Sequence, residues 1–155
     1  MGGIQDGDSS ADCQLPITFR VSGMNPAPQG SKSFIGKGIG IESCKNLKPW
    51  RNLVACAAVD HGVPLIRGPV RLSIVFLFTR PAGHFRKDGT LKPSAPKHHC
   101  VKPDVSKVLR STEDALSKLA YEDDARIVGY SGLDKRYCVG DEKPGAIIAI
   151  IPLSP

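Results

Sequence analysis

Residues 104–124 hold six carboxylates: Asp104, Glu113, Asp114, Glu122, Asp123 and Asp124. Asp104 follows Lys102-Pro103 at the start of a predicted helix, and Asp123-Asp124 come after its end. Carboxylates on separate elements beside positive charge suit a hard divalent ion. Mg²⁺ takes oxygen ligands, usually one or two carboxylates completed by water and phosphate oxygens. Such an ion activates a water and stabilises a leaving oxyanion. At about 100° per residue, Ser106, Arg110, Glu113 and Ser117 share the helix's polar side, and Asp114 points directly away from its apolar stripe. Plain readings stand beside this one. Asp104 is also an ordinary helix N-terminal partner, Asp123-Asp124 a solvated turn, and Glu113 a surface residue. Spacing alone leaves both open.

Charge is divided along the chain. Its 155 residues carry 21 Lys and Arg against 15 Asp and Glu, a formal +6. Arg80 to Lys107 has seven basic residues against two acidic ones, net +5, whereas Arg110 to Arg126 has three against five, net −2. The excess implies an anionic partner. The five cysteines (Cys13, Cys44, Cys56, Cys100, Cys138) form an odd set with no C-x-x-C pair, poor arithmetic for disulfides or zinc. Adjacent His98, His99 and Cys100 have no evident distant partners and read as a basic loop with a reduced thiol. No apolar run nears the ~18–20 residues of a membrane span, and Met1 to Asp12 lacks the regions of a secretory signal. The expectation is a cytoplasmic protein without a membrane partner.

Several elements must position these residues. Residues 1–14 are polar and carry Asp6, Asp8 and Asp12, a frayed tail in expectation. A single domain, 15–155, follows. Leu15 to Ser22 alternates as a half-buried strand, and Gly23 to Lys32 is a Pro/Gly loop. Short strands follow at Ser33–Ile35 and Gly38–Glu42. Pro49 to His61 is a helix with Gly62 as its stop and with Trp50, Leu53, Val54, Ala57 and Ala58 on its apolar face. Pro69 to Thr79 is the strongest strand. The basic, Pro-rich stretch 80–102 is then expected to be a loop, mobile until a ligand arrives. Its His84, Phe85 and Arg86 are open to a wedge role. Asp104 to Ala120 is the best helix, striped by Val105, Val108, Leu109, Thr112, Leu116 and Leu119. Ala125 to Ser131 and Gly145 to Ile151 close the fold. The order predicts a small α+β domain, a mixed β-sheet with two main helices on it.

Lys102–Val128, KPDVSKVLRSTEDALSKLAYEDDARIV, resembles the signature of the RusA-type Holliday junction resolvases, which runs K-P-D-x-D-x-L-x-(K/R)-x-x-x-D-A-L and then D-D-x-x-V. Pro26-Ala27-Pro28-Gln29-Gly30-Ser31-Lys32, Glu42-Ser43, Lys45 and Trp50-Arg51 are similar to the family's phage branch. Lys135-Arg136-Tyr137 and Pro144-Gly145 match its ending. The resemblance spans about Pro16 to Pro152. It implies an endonuclease, dependent on Mg²⁺ with Mn²⁺ as a substitute, that makes paired nicks in four-way or other branched DNA, acting as a homodimer in a bacterial or phage-infected cell. It implies metal at Asp104, Asp123 and Asp124. It implies catalytic roles for Asp104, Asp124 and Arg110; Glu113, on the same side of the helix, is expected to assist catalysis through a second ion or through water. Arg110 stands where the family often has lysine and keeps only the charge. DNA contacts fall to Lys32, Arg86, Lys87, Lys97, Lys102 and Lys107. One departure is clear: the second aspartate of the pattern is Ser106. Glu113, seven residues on, is roughly 10 Å farther along the helix, too far to share one ion with Ser106. A weaker or rearranged metal site follows. The rivals are a branched-DNA binder that has lost cutting with Ser106 and a general basic nucleic-acid binder, which leaves the acids unexplained.

Overall fold

Alternation in ITFRVS buries Phe19 and Val21 and exposes Thr18, Arg20 and Ser22, so β1 (Ile17–Ser22) forms a one-sided strand. The computed structural model describes residues 14–30, 32–35, 39–42 and 44–155, the two short middle stretches as backbone. Along the chain follow β2 (Lys32–Ile35), β3 (Ile39–Glu42), α1 (Leu47–Asp60), β4 (Val70–Phe78), α2 (Val105–Leu116), β5 (Ile127–Tyr137) and β6 (Gly145–Pro152). Four strands make one sheet in the order β1-β6-β4-β5, and β2-β3 form a separate hairpin. β6 pairs antiparallel with β1 and β4, while β4 and β5 run parallel. The chain therefore adopts the expected α+β architecture of a mixed sheet with two helices.

Both helices pack into the sheet's core. Trp50, Val54 and Ala58 of α1 and Val108 and Leu116 of α2 are buried with Val21, Leu72, Ile74, Phe76, Ile148 and Ile150. Truncating a side chain such as Leu116 to alanine costs about 2–5 kcal/mol. Two polar ties fix the helices in register. Trp50 Nε1 donates to Thr112 Oγ1 at 3.1 Å, and Ser111 Oγ donates to Ala27 O at 2.6 Å, drawing the Pro/Gly loop onto α2. Ser111 and Thr112 are fully buried for that reason.

Three of the boundaries that differ from the sequence pattern have a clear physical cause. α1 starts at Leu47, two residues before Pro49, because a proline in the first turn removes only a donor that has no partner there. α2 stops at Leu116, not at Ala120. Ser117 is extended, Lys118 takes φ 66°, and Lys118 N donates to Tyr121 O at 2.7 Å. Burial of Tyr121, whose hydroxyl donates to Glu113 O at 2.8 Å, holds the chain in that turn. β5 extends to Tyr137 because its parallel pairing with β4 continues to Phe78↔Tyr137. Two register shifts skip Val128 and Ser131 on β5, flanking Tyr130, and such bulges re-aim side chains.

The basic loop after β4 is bonded internally. Phe85 and Leu91 form an antiparallel bridge, Lys92 Nζ donates to Gly83 O, and Arg80 donates to Pro96 O while lying 4.3 Å over the Tyr137 ring. No helix among the described residues is long and apolar enough to cross a membrane.

Candidate active site

α2 is the crossover between the parallel strands β4 and β5, so its two ends lie at opposite ends of those strands. Asp104 stands at its start. Asp124 sits in the 3₁₀ turn Asp124–Arg126 that leads from its end into β5. Asp114, two residues before the helix end, is ten residues and about 15 Å along the axis from Asp104. The acids of residues 104–124 thus form two positions.

The larger gathers at the C-terminal end of α2. Asp114 and Asp124 are close enough for their carboxyl groups to share a hydrogen bond. Partial burial and then the Asp114 charge push the Asp124 carboxyl up, while the Ser117 hydroxyl partly offsets them. Glu113 is pushed up by burial and by the charges of Asp124 and Asp114, and the Tyr130 hydroxyl, donating to Glu113 Oε1, works the other way. Asp123 Oδ1 accepts from Ala125 N at 2.8 Å. It shapes the turn that presents Asp124. From the Pro/Gly loop, Gln29 Nε2 donates to Asp114 Oδ2 at 2.6 Å, while Gln29 Oε1 is buried without a partner.

These groups fit a cation. Repelling carboxylates and an orphaned carbonyl oxygen beside them are all acceptors of positive charge. Among the described residues no three His, Cys, Asp or Glu side chains converge tightly enough to enclose a metal. Two carboxylates are nevertheless what Mg²⁺ usually takes from protein.

The second position is Asp104 itself. It occupies the N-cap of α2, but its side chain makes no capping bond. The carboxylate is exposed and lies 3.7 Å from Lys107 Nζ. Ser106, exposed in the first helical turn, has no acidic neighbour there. The segment before Asp104 is tied down by Lys135 of β5, whose Nζ donates to Val101 O at 2.7 Å and to Pro103 O at 2.9 Å.

Between the two positions lies Arg110. Its guanidinium reaches over Gly30: a Cβ there would sit 3.8 Å from Nη1. Arg86, Lys87, Lys97 and Lys102 are exposed along the basic loop and Lys107 is half-buried. Lys32 opens β2, and its side chain lies outside the described residues. Asp104 and Asp124 are therefore not brought together within one chain, whereas Asp124, Asp123 and Glu113 are. Sequence reasoning missed Asp114, Gln29 and Tyr130. A signal existed for the first: Asp114 is the aspartate of the D-A-L step in the resolvase-like pattern. Its position opposite the apolar stripe suggested solvent, but the Pro/Gly loop covers that side.

No curated protein matches the sequence. A family model, Endodeoxyribonuclease RusA, matches residues 24–151. That span covers both acidic positions, the basic loop, both helices and five of the six strands. On that match the chain belongs to the RusA endodeoxyribonuclease family, the nucleases that resolve Holliday junctions.

Proposed function

We propose that the protein cuts four-way and other branched DNA by divalent-metal-dependent hydrolysis, with Asp114 and Asp124 holding the ion at the end of α2. The observation that carries this reading is the Asp114 carboxylate beside Asp124, which together with burial raises the proton affinity of Asp124, since an acid crowded by a second acid calls for a cation. The ion, Mg²⁺ or Mn²⁺, would supply an activated water and charge neutralisation at the phosphodiester.

The chain's own residues do the remaining work. Asp123 fixes the turn that presents Asp124 and is available as a further ligand through its other oxygen. Glu113, held by Tyr130, stands beside the pair and accepts a proton more readily than an ordinary carboxylate. Arg110 keeps its charge at every working pH, so it steadies phosphate and does not shuttle protons. Asp104 acts at the other end of the helix, where Lys102 and Lys107 would gather the strand. Arg86, Lys87 and Lys97, exposed on the basic loop, would contact the duplex arms, and Lys32 would join them. A homodimer suits the substrate: a two-fold protein matches a nearly two-fold junction, one nick per subunit.

A junction-cleavage assay tests this. Purified protein is mixed with a synthetic four-way junction in Mg²⁺, in Mn²⁺ and in chelator. Paired nicks that need metal, and that vanish in Asp104→Asn and Asp124→Asn while binding survives, are the expected result. Binding without nicking in either metal would leave the second reading, a branched-DNA binder. What favours that one is Ser106, which removes a carboxylate from the Asp104 position.

A further inference from the structure

A second buried orphan lies toward the other end of α2. His99 is only 6% exposed. Its ring stacks on Phe78 with centroids 4.2 Å apart and meets the Tyr137 ring at 4.8 Å. Yet His99 Nδ1 is buried with no hydrogen-bond partner, a costly state for a polar atom. Burial and the Lys135 charge hold its pKa below the ordinary imidazole value. At neutral pH the ring is therefore uncharged, with one donor and one acceptor nitrogen.

This ring forms one wall of a cavity of about 360 Å³. Pro26, Pro28 and Pro103 give the cavity apolar sides, and Asn25, Asn46 and Lys102 give it polar ones. Asn25 Oδ1 already accepts from Thr79 N at 2.9 Å, which turns the N–H₂ end of the amide to other partners. Asn46 stands at the N-cap of α1 without a side-chain capping bond. Pro28, Lys102 and Pro103 also line a smaller cavity of about 120 Å³ that reaches Asp104 and Lys107.

We propose that the His99 cavity receives one unstacked nucleobase of the bound strand, its polar edge toward His99 and Asn25 and its phosphate at Lys102 and Lys107, beside Asp104. The inference rests on the branched-DNA reading. Size points to a single base: small-ligand cavities begin near 300 Å³, far below what a duplex needs. Chemistry points the same way. Enzymes that hold an extruded base use apolar or aromatic walls with hydrogen-bonding groups at its edge, and unstacking costs least where pairing is already interrupted. A branch point interrupts it. A free phosphate would instead call for several cations, and among the described residues the cavity has one, Lys102. Lys135 holds the wall formed by Val101 to Pro103 through two carbonyls, so the cavity is built before DNA arrives.

The experiment uses the Asp124→Asn protein, so that binding is read without cutting. Four-way junctions each carry one abasic nucleotide, walked through the positions flanking the branch point, and Kd is measured for each. One position should weaken binding roughly tenfold, the scale of losing one stacked base. Adding Asn46→Trp, which blocks the mouth from an exposed position, should abolish that difference. Adding His99→Phe, which keeps the ring stack but removes the ring nitrogens, should shrink it. Thermal unfolding checks that both variants fold. If every abasic junction binds like the intact one while junctions are still preferred over duplex, the base pocket is refuted and the branched-DNA reading stands. If the intact junction is not preferred over duplex, both fall.

Discussion

The Gln29 side-chain amide donates to Asp114 Oδ2 at 2.6 Å, tying the Pro/Gly loop to α2 across 85 positions of sequence. The oxygen of the same amide, Oε1, is buried and unpartnered. Gln29 thus meets the acidic cluster through its N–H₂ end, with a buried acceptor left over on the same amide. Gln29→Ala should raise the Mg²⁺ concentration for half-maximal nicking, by roughly tenfold given the ~1.5–3 kcal/mol of a hydrogen bond to a charged group. Gln29→Glu adds a further like charge and should impair nicking more. Titrating metal against junction cleavage checks both, and unchanged metal dependence in Gln29→Ala would separate Gln29 from the site.

Removing a carboxylate from the cluster should act oppositely on stability and on activity. Asp124 and Glu113 titrate above their ordinary values of 3.8 and 4.5 because of burial and neighbouring acids. In metal-free protein the native state then binds more protons than the unfolded state between the ordinary and the raised values. Stability contributed there is present at lower pH and is lost as pH rises through that window. Asp124→Asn should flatten this fall and leave the metal-free protein at least as stable at neutral pH, while nicking drops by about 100-fold or more. Thermal midpoints in chelator from about pH 4 to about pH 8, set beside cleavage rates, read out the two effects. Divalent metal should stabilise wild type more than the variant.

Gly145 has a steric duty at the start of β6. Its φ is +153°, and a Cβ there would lie 1.8 Å from Val21 O on the paired strand. No rotamer relieves a clash between backbone atoms. Gly145→Ala should therefore cost about 3 kcal/mol or more, the range of strain at a special backbone position combined with a lost strand pairing. Chemical denaturation measures it. A loss under about 1 kcal/mol would mean that β1 can shift aside.

Much of this architecture was legible because period and burial agree. ITFRVS alternates as β1 does, and the strip from Val108 through Thr112 to Leu116 is the buried face of α2. What stayed hidden was long-range. Nothing local indicates that Gln29 meets Asp114 or that Tyr130 meets Glu113, because those contacts depend on how a loop and a bulged strand fold back onto the helix. The wheel that put Asp114 in solvent knew only α2. The internal bonding of the basic loop was hidden for the same reason: Arg80 and Lys92 keep their charge in the net +5, and both also donate to carbonyls within the loop. The separation of Asp104 from Asp124 is likewise topological, the consequence of a helix crossing between two parallel strands.

Ser106 marks the departure from the family pattern, and its surroundings make the reverse substitution informative. It is exposed in the first turn of α2, two residues after Asp104, and no acidic residue occupies that turn. A carboxylate placed there interacts favourably with the helix N-terminus, worth about 0.3–1 kcal/mol, and Lys107 already supplies a neighbouring positive charge. Ser106→Asp should therefore fold at least as stably as wild type. If the Asp104 position takes part in the chemistry, a second carboxylate beside it should leave nicking equal or faster and lower the metal concentration required. Cleavage rates across a Mg²⁺ titration, paired with unfolding midpoints, decide the matter. A stable Ser106→Asp protein that no longer nicks would mean that this chain organises its site around the Asp114–Asp124 pair and tolerates no competing acid at the far end of the helix.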